Sequence, residues 1–189
     1  MDFKIPKTME KEHEELHAGL RIATTAGGAT GKTAKRLTGV LHPHFVKEED
    51  FALPPLGLLP LLSKGKVTSD MKDILLMTDK LKTDLKQMLN EHEEILSTLK
   101  KLVVEARKEG KLEYVQFADR LTMHAQAEEE IYYPTAILIG EYLKLRLKRA
   151  NTRKSRQSSG KTGTYEKKQN IGARKVLRTQ SSTPFKFIS

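Results

Sequence analysis

The string Glu12-His13-Glu14-Glu15 returns 79 residues later as Glu91-His92-Glu93-Glu94, and each copy is followed 31 or 32 residues on by a His-x-x-x-Glu pair, His44 with Glu48 and His124 with Glu128. A spacing of four puts the histidine and glutamate of each pair on one face of a helix, where both reach toward the same neighbour. One such pair is usually a solvated surface feature. Two pairs, each preceded by its own Glu-His-Glu-Glu, require the two halves of the chain to share one layout, and that layout has to be helical.

The apolar positions agree with this. Helical spacing runs through 8–26, with Met9, Leu16, Leu20 and Ile22, and stops at Gly27-Gly28. A second helix is expected from Thr30–Lys32 through Leu37, Val40 and Leu41 to His44, with Pro43 kinking it or marking a local irregularity. Phe51–Lys66 contains Pro54, Pro55, Gly57, Pro60 and Gly65 and reads as a long apolar connection. Ser69 is a suitable N-cap for a long third helix ending at Glu109-Gly110. A fourth is expected from Leu112 through Phe117, Leu121, Met123 and His124 to Tyr133, where Pro134 interrupts it before the apolar stretch Ala136–Leu147. No segment alternates as a strand does. The expected class is all-α, an up-down-up-down antiparallel four-helix bundle over residues 1–147.

Geometry then brings the two halves together. The midpoint between His13 and the His44/Glu48 pair falls near residue 30, beside Gly27–Gly31, and that between His92 and the His124/Glu128 pair falls near Glu109-Gly110. In an antiparallel hairpin, residues equally far from the turn share a height, here about 16 residues or ~24 Å at a rise of ~1.5 Å per residue. Four imidazoles and two carboxylates therefore meet at one level. Buried without partners they would cost several kcal/mol each, so a metal between them is the economical reading. Leu53, Leu56, Leu58, Leu59, Leu61 and Leu62 are expected to cover the part of helices three and four beyond that level and so to cap the site.

Composition narrows the chemistry. With no cysteine, thiolate sites, iron–sulfur clusters and disulfides are excluded, and a metal has only nitrogen and oxygen ligands. The formal charge of +10 is unevenly spread: Lys148–Ser189 carries 12 of the 34 Lys and Arg and one of the 24 Asp and Glu. That segment, 148–189, is rich in polar residues and lacks helical periodicity, and it reads as a basic, disordered tail. The N-terminal sequence has no basic start followed by an apolar stretch, and Leu53–Leu62 is too short and proline-rich to span a bilayer. A cytoplasmic protein without a membrane span is the expectation.

The order His13, His44-x-x-x-Glu48, His92, His124-x-x-x-Glu128 resembles the hemerythrin-like family, the HHE cation-binding domains, over roughly residues 8–147. The resemblance implies a pair of iron ions bridged by Glu48 and Glu128 and capped by His13, His44, His92 and His124. It also implies a position left for dioxygen, nitric oxide or a related small ligand. Oxygen-carrying members have a second histidine on the third helix; four residues after His92 this chain has Leu96, which cannot ligate, so reversible oxygen carriage is not implied. Nitrogen and oxygen donors in these numbers also suit manganese or zinc. His17, one turn after His13, could supply a fifth nitrogen or lie outside the ligand set. Tyr132 or Tyr133 could donate to the site, ligate or simply fill the core, and His42 should point elsewhere. Glu12, Glu14, Glu15, Glu49, Glu91, Glu93, Glu94, Glu129 and Glu130 are expected on solvated faces.

Gly27–Thr33 imitates a phosphate-binding loop, but Ala26 stands where the first glycine should be and no strand precedes it. The glycines read as a helix stop and turn. Three functions stay open. The first is a non-haem di-iron protein binding or sensing oxygen, nitric oxide or iron. The second is a di-iron oxidoreductase acting on oxygen or peroxide. The third is an interaction or regulatory protein whose basic tail binds nucleic acid or an anionic surface.

Overall fold

The computed structural model of the chain describes residues 3–149 and 152, and among them every regular element is helical. The chain divides after Leu145 into two units, Met1–Leu145 and Arg146–Ser189. Of the basic segment 148–189, only residues 148, 149 and 152 are described, and all three are helical. The expectation of disorder beyond them lies outside the described residues.

In the first unit, α1 (Lys7–Thr24) buries His13, Leu16, Leu20 and Ala23, a face of three- and four-residue steps. Ile22 falls off that face, two residues from Leu20, and is exposed. Gly27 and Gly28, with φ of +67° and +60°, then turn the chain straight into α2 (Gly28–Lys47), which starts earlier than the apolar pattern indicates. Its buried positions are Thr30, Gly31, Ala34, Leu37, Leu41, His44 and Phe45, and it runs through Pro43 to Lys47 without breaking.

The expected irregular connection is a chain of short helical turns. A π-helical turn, Glu48–Ala52, leads into a 3₁₀ turn, Pro54–Leu58, and then α3 (Leu59–Leu62). Phe51, Leu53, Leu56 and Leu58 are buried, and these turns pack on α4 (Asp73–Lys108). Leu59 is exposed and Leu61 and Leu62 only half-buried. Of the six leucines expected to form a cap, three are therefore in place as cover. Ser69 opens a 3₁₀ turn, Ser69–Lys72, ahead of α4 and makes no capping hydrogen bond. Next come α5 (Leu112–Ala127), a second π-helical turn, Glu128–Tyr132, and α6 at 133–145. Pro134 therefore does not end the helical path. It stands in the first turn of α6, where a missing N–H costs little.

The four principal helices close a ring: α1 on α2, α2 on α4, α4 on α5 and α5 on α1. Leu16, Leu20, Leu37, Leu41, Phe45, Ile95, Leu99, Leu102, Phe117 and Leu121 fill its interior on the turn side of the histidines. At the turns the two halves are joined by two side chains, Glu109 and Lys111. Glu109 accepts hydrogen bonds from Ala29 N–H at 2.6 Å and Thr30 Oγ1 at 2.7 Å, capping α2 from the opposite hairpin. Lys111 Nζ donates to Glu109 at 2.6 Å and to the Ala26 carbonyl at 2.8 Å. No helix among the described residues is long and apolar enough to cross a membrane.

Candidate metal centre

A shared irregularity sets the two glutamates. Each is followed six residues on by proline, Pro54 after Glu48 and Pro134 after Glu128. In an uninterrupted α-helix those rings would press on the carbonyls of Asp50 and Glu130 and leave them without donors. The chain widens by one residue instead. Leu53 N–H reaches back five positions to the Glu48 carbonyl at 2.9 Å, and Tyr133 N–H does the same to Glu128. Each glutamate thus sits at the head of a π-helical turn, a form found often at functional sites. The pattern His-x₃-Glu-x₅-Pro, present twice in the sequence, is the signal that would have placed both turns.

His13 on α1, His44 on α2, His92 on α4, His124 on α5 and the two glutamates are all buried, none more than 3% exposed. They form two groups of four that share both carboxylates: His13, His124, Glu48 and Glu128, and His44, His92, Glu48 and Glu128, with candidate ligand atoms in each group within 4.8 Å of one another. Each carboxylate divides its oxygens. Glu128 Oε1 lies 3.0 Å from His124 Nε2 and 3.7 Å from His13 Nε2, while its Oε2 lies 3.4 Å from His92 Nε2. Glu48 Oε1 is 3.0 Å from His44 Nε2, and its Oε2 is 3.8 Å from His13 Nε2.

The outer edges of three imidazoles are also hydrogen-bonded. His44 Nδ1 bonds Glu91 at 2.8 Å, His92 Nδ1 bonds Glu129 at 2.8 Å, and His13 Nδ1 bonds Glu49 at 3.2 Å. Glu12 stands 3.3 Å from His124 Nδ1, but that nitrogen is buried without a hydrogen bond. Lys47 and Gln87 in turn hold Glu91. Glu49 and Glu129 are exposed, as expected, and Glu12 and Glu91 are half-buried, yet all four stand against the site. Each lies beside a histidine or glutamate of the repeat and reaches across to a histidine of another helix. The remainder, Glu14, Glu15, Glu93, Glu94 and Glu130, are exposed as expected.

Hydrogen bonds to carboxylates at Nδ1 require an N–H there, so the neutral rings of His13, His44 and His92 turn their Nε2 lone pairs inward. His44 Nε2 and His92 Nε2 face one another at 2.8 Å. Two lone pairs at that distance repel unless a cation or a proton lies between. On the other side His13 Nε2, His124 Nε2, Glu48 Oε2 and Glu128 Oε1 are buried without hydrogen-bond partners, at about 1–3 kcal/mol for each such atom. A metal ion accepts these lone pairs, and the donor set fits one of the nitrogen- and oxygen-binding ions.

Protons are the alternative counter-charge. Burial presses His92 and His124 toward neutrality, but Glu128 and Glu48 outweigh it and hold them up to about 10 and about 9. His13 and His44 are raised as well, burial again being overcome by the glutamates. Burial acts on Glu128 in the opposite direction, and the histidines around it hold it well below the usual carboxylate range.

His17 is half-buried, 3.8 Å from Glu49, and belongs to neither group. His42 is exposed, as expected, and Leu96 packs at the edge of the core. Tyr132 is half-buried, whereas Tyr133 is buried and donates a hydrogen bond to Glu48 Oε1.

A helical ring with inward imidazoles and two shared carboxylates defines a cation-binding helical protein. The family model described as the hemerythrin HHE cation binding domain matches residues 4–136, and the chain belongs to that family. Comparisons with curated proteins and with solved structures give no match.

Proposed function

We propose that the chain is a non-haem di-iron protein, built as an up-down-up-down antiparallel bundle over residues 1–147, that binds or senses a small ligand such as dioxygen or nitric oxide. The observation that carries this reading is the set of four buried imidazoles, three of which bond an outer carboxylate through Nδ1, around two glutamates that each offer an oxygen to both groups. His13 and His124 would hold one ion, His44 and His92 the other, and Glu48 and Glu128 would bridge them. Bound iron supplies reversible electron transfer and affinity for diatomic ligands. The chain's own part is to orient the imidazoles, exclude water and neutralise charge.

A cleft of about 490 Å³ beside the site, lined by Leu85, Leu89, Pro134, Ile137 and Leu138 with Glu129, Glu141 and Tyr133, supports a small uncharged ligand over an anion. The test is metal analysis by mass spectrometry of protein expressed with iron, with visible absorption before and after air reaches the reduced form. Two irons per chain with an oxo-bridge absorption on oxidation are expected, one for each group. Protein that takes up no metal overturns the reading.

A second activity is favoured by the 12 basic and one acidic residues of Lys148–Ser189: salt-dependent binding of nucleic acid or another polyanion by a segment separate from the metal unit. Polyanion affinity that vanishes at high salt, and on removal of 150–189, is the expected result.

A further inference from the structure

The two halves differ at the residue that follows each π-helical turn. Five residues after Glu128, Tyr133 follows the second π-helical turn; five residues after Glu48, the first half has Leu53. Tyr133 Oη donates to Glu48 Oε1 and lies 3.4 Å from both His44 Nε2 and His92 Nε2. The aromatic ring against the other group is Phe45, whose centroid is 4.6 Å from His13 and 6.1 Å from His124. A phenol thus faces one side and a phenyl ring the other.

The separations carry chemical information. Donors bound to one ion at about 2.1 Å stand roughly 3.0–3.4 Å apart for octahedral to tetrahedral angles. Tyr133 Oη meets that spacing toward two histidines at once. A hydroxyl serving only as a donor to Glu48 has no need to be equidistant from two other inward-facing nitrogens.

We propose that Tyr133 is a metal ligand on the His44/His92 side alone, which makes the two metal sites chemically inequivalent. This rests on the metal-binding reading above. The phenolic oxygen joins His44, His92 and the two glutamates, and its proton leaves to solvent as the bond to the ion forms. On the His13/His124 side the ring in contact is Phe45, which has no oxygen to offer an ion.

The experiment uses the 189-residue chain loaded with ferric iron, its metal content measured by mass spectrometry. Resonance Raman spectra are excited in the visible, on protein with ordinary and with ring-deuterated tyrosine. A phenolate-to-iron charge-transfer band is expected, with tyrosine ring modes that shift on deuteration. Tyr133→Phe should abolish the band while two irons remain bound, and Tyr132→Phe should leave it intact. Two bound irons without tyrosine ring modes overturn the assignment and leave the metal reading standing, as does a band that survives in Tyr133→Phe. Protein that takes up no iron overturns both. Should Tyr133→Phe fail to fold, the deuteration shift in the unmutated chain decides.

Discussion

Glu48 and Glu128 each present one oxygen to either group, whereas every histidine serves one group only. Replacing Glu48 or Glu128 with Ala should therefore remove both ions, while His13→Ala or His92→Ala should leave about one behind; metal-to-protein ratios after gel filtration decide between these patterns. The outer carboxylates act at a distance from the ion. Glu129→Gln should weaken metal binding by about 10–100-fold, the usual effect of losing a group that orients an imidazole. Glu130→Gln, at an exposed neighbouring position, should change it little, as read by competition with a chelator. Proton competition follows from His92 and His124, held up to about 10 and about 9. A raised histidine stabilises the metal-free fold below its ordinary 6.5 and loses that stabilisation as pH rises through about 9 to 10. Metal affinity moves the other way, rising with pH, and uptake near neutrality should release protons measurable by calorimetry in buffers of different ionisation enthalpy. Convergence of the six residues was legible in the sequence because four-residue spacing on a helix and equal distance from a turn are fixed by geometry. Glu12, Glu49, Glu91 and Glu129 were not legible, because their partners stand on other helices and position along one helix does not show which neighbour a flanking side chain meets.

Among the elements, the clip at the turns is the most exposed to chemistry. Glu109 is held down to about 2 by Lys111, Thr30 and the Ala29 N–H, from an ordinary 4.5. A depressed carboxylate contributes stability above its ordinary value and loses it as pH falls toward the depressed one. Thermal melts of the metal-free chain should therefore show Glu109→Ala less stable than the parent at pH 7, with the difference shrinking as pH drops from about 4.5 to about 2. The four principal helices were legible from their apolar period, with ends misplaced by a few residues wherever glycine or a 3₁₀ turn took over. The π-helical turns were not, since a 3.6-residue period has no place for a five-residue hydrogen bond. Pro54 and Pro134 were read as interruptions, and the structure makes them the reason each glutamate is followed by a widened turn.

At the scale of the molecule, the metal unit and the basic segment are separable in the proposed reading. Removing 150–189 should leave metal content and thermal stability of the remaining chain unchanged; loss of metal on that deletion would move the boundary of the unit. The charge distribution that suggests the division was plain in the sequence. The placement of Phe51, Leu53, Leu56 and Leu58 against α4 was only partly so, because leucine content alone does not say which of six adjacent leucines face inward. The clip of Glu109 across the two turns has a mechanical consequence as well. It pins the hairpins together at one end, like the joint of a pair of tongs, with the histidines out along the arms. At ~24 Å from the joint, a rotation of only about 5° opens the jaws by about 2 Å, as long as a metal–nitrogen bond. Loosening that joint with Glu109→Ala should therefore speed the loss of bound metal to a chelator, measured as a release rate at pH 7.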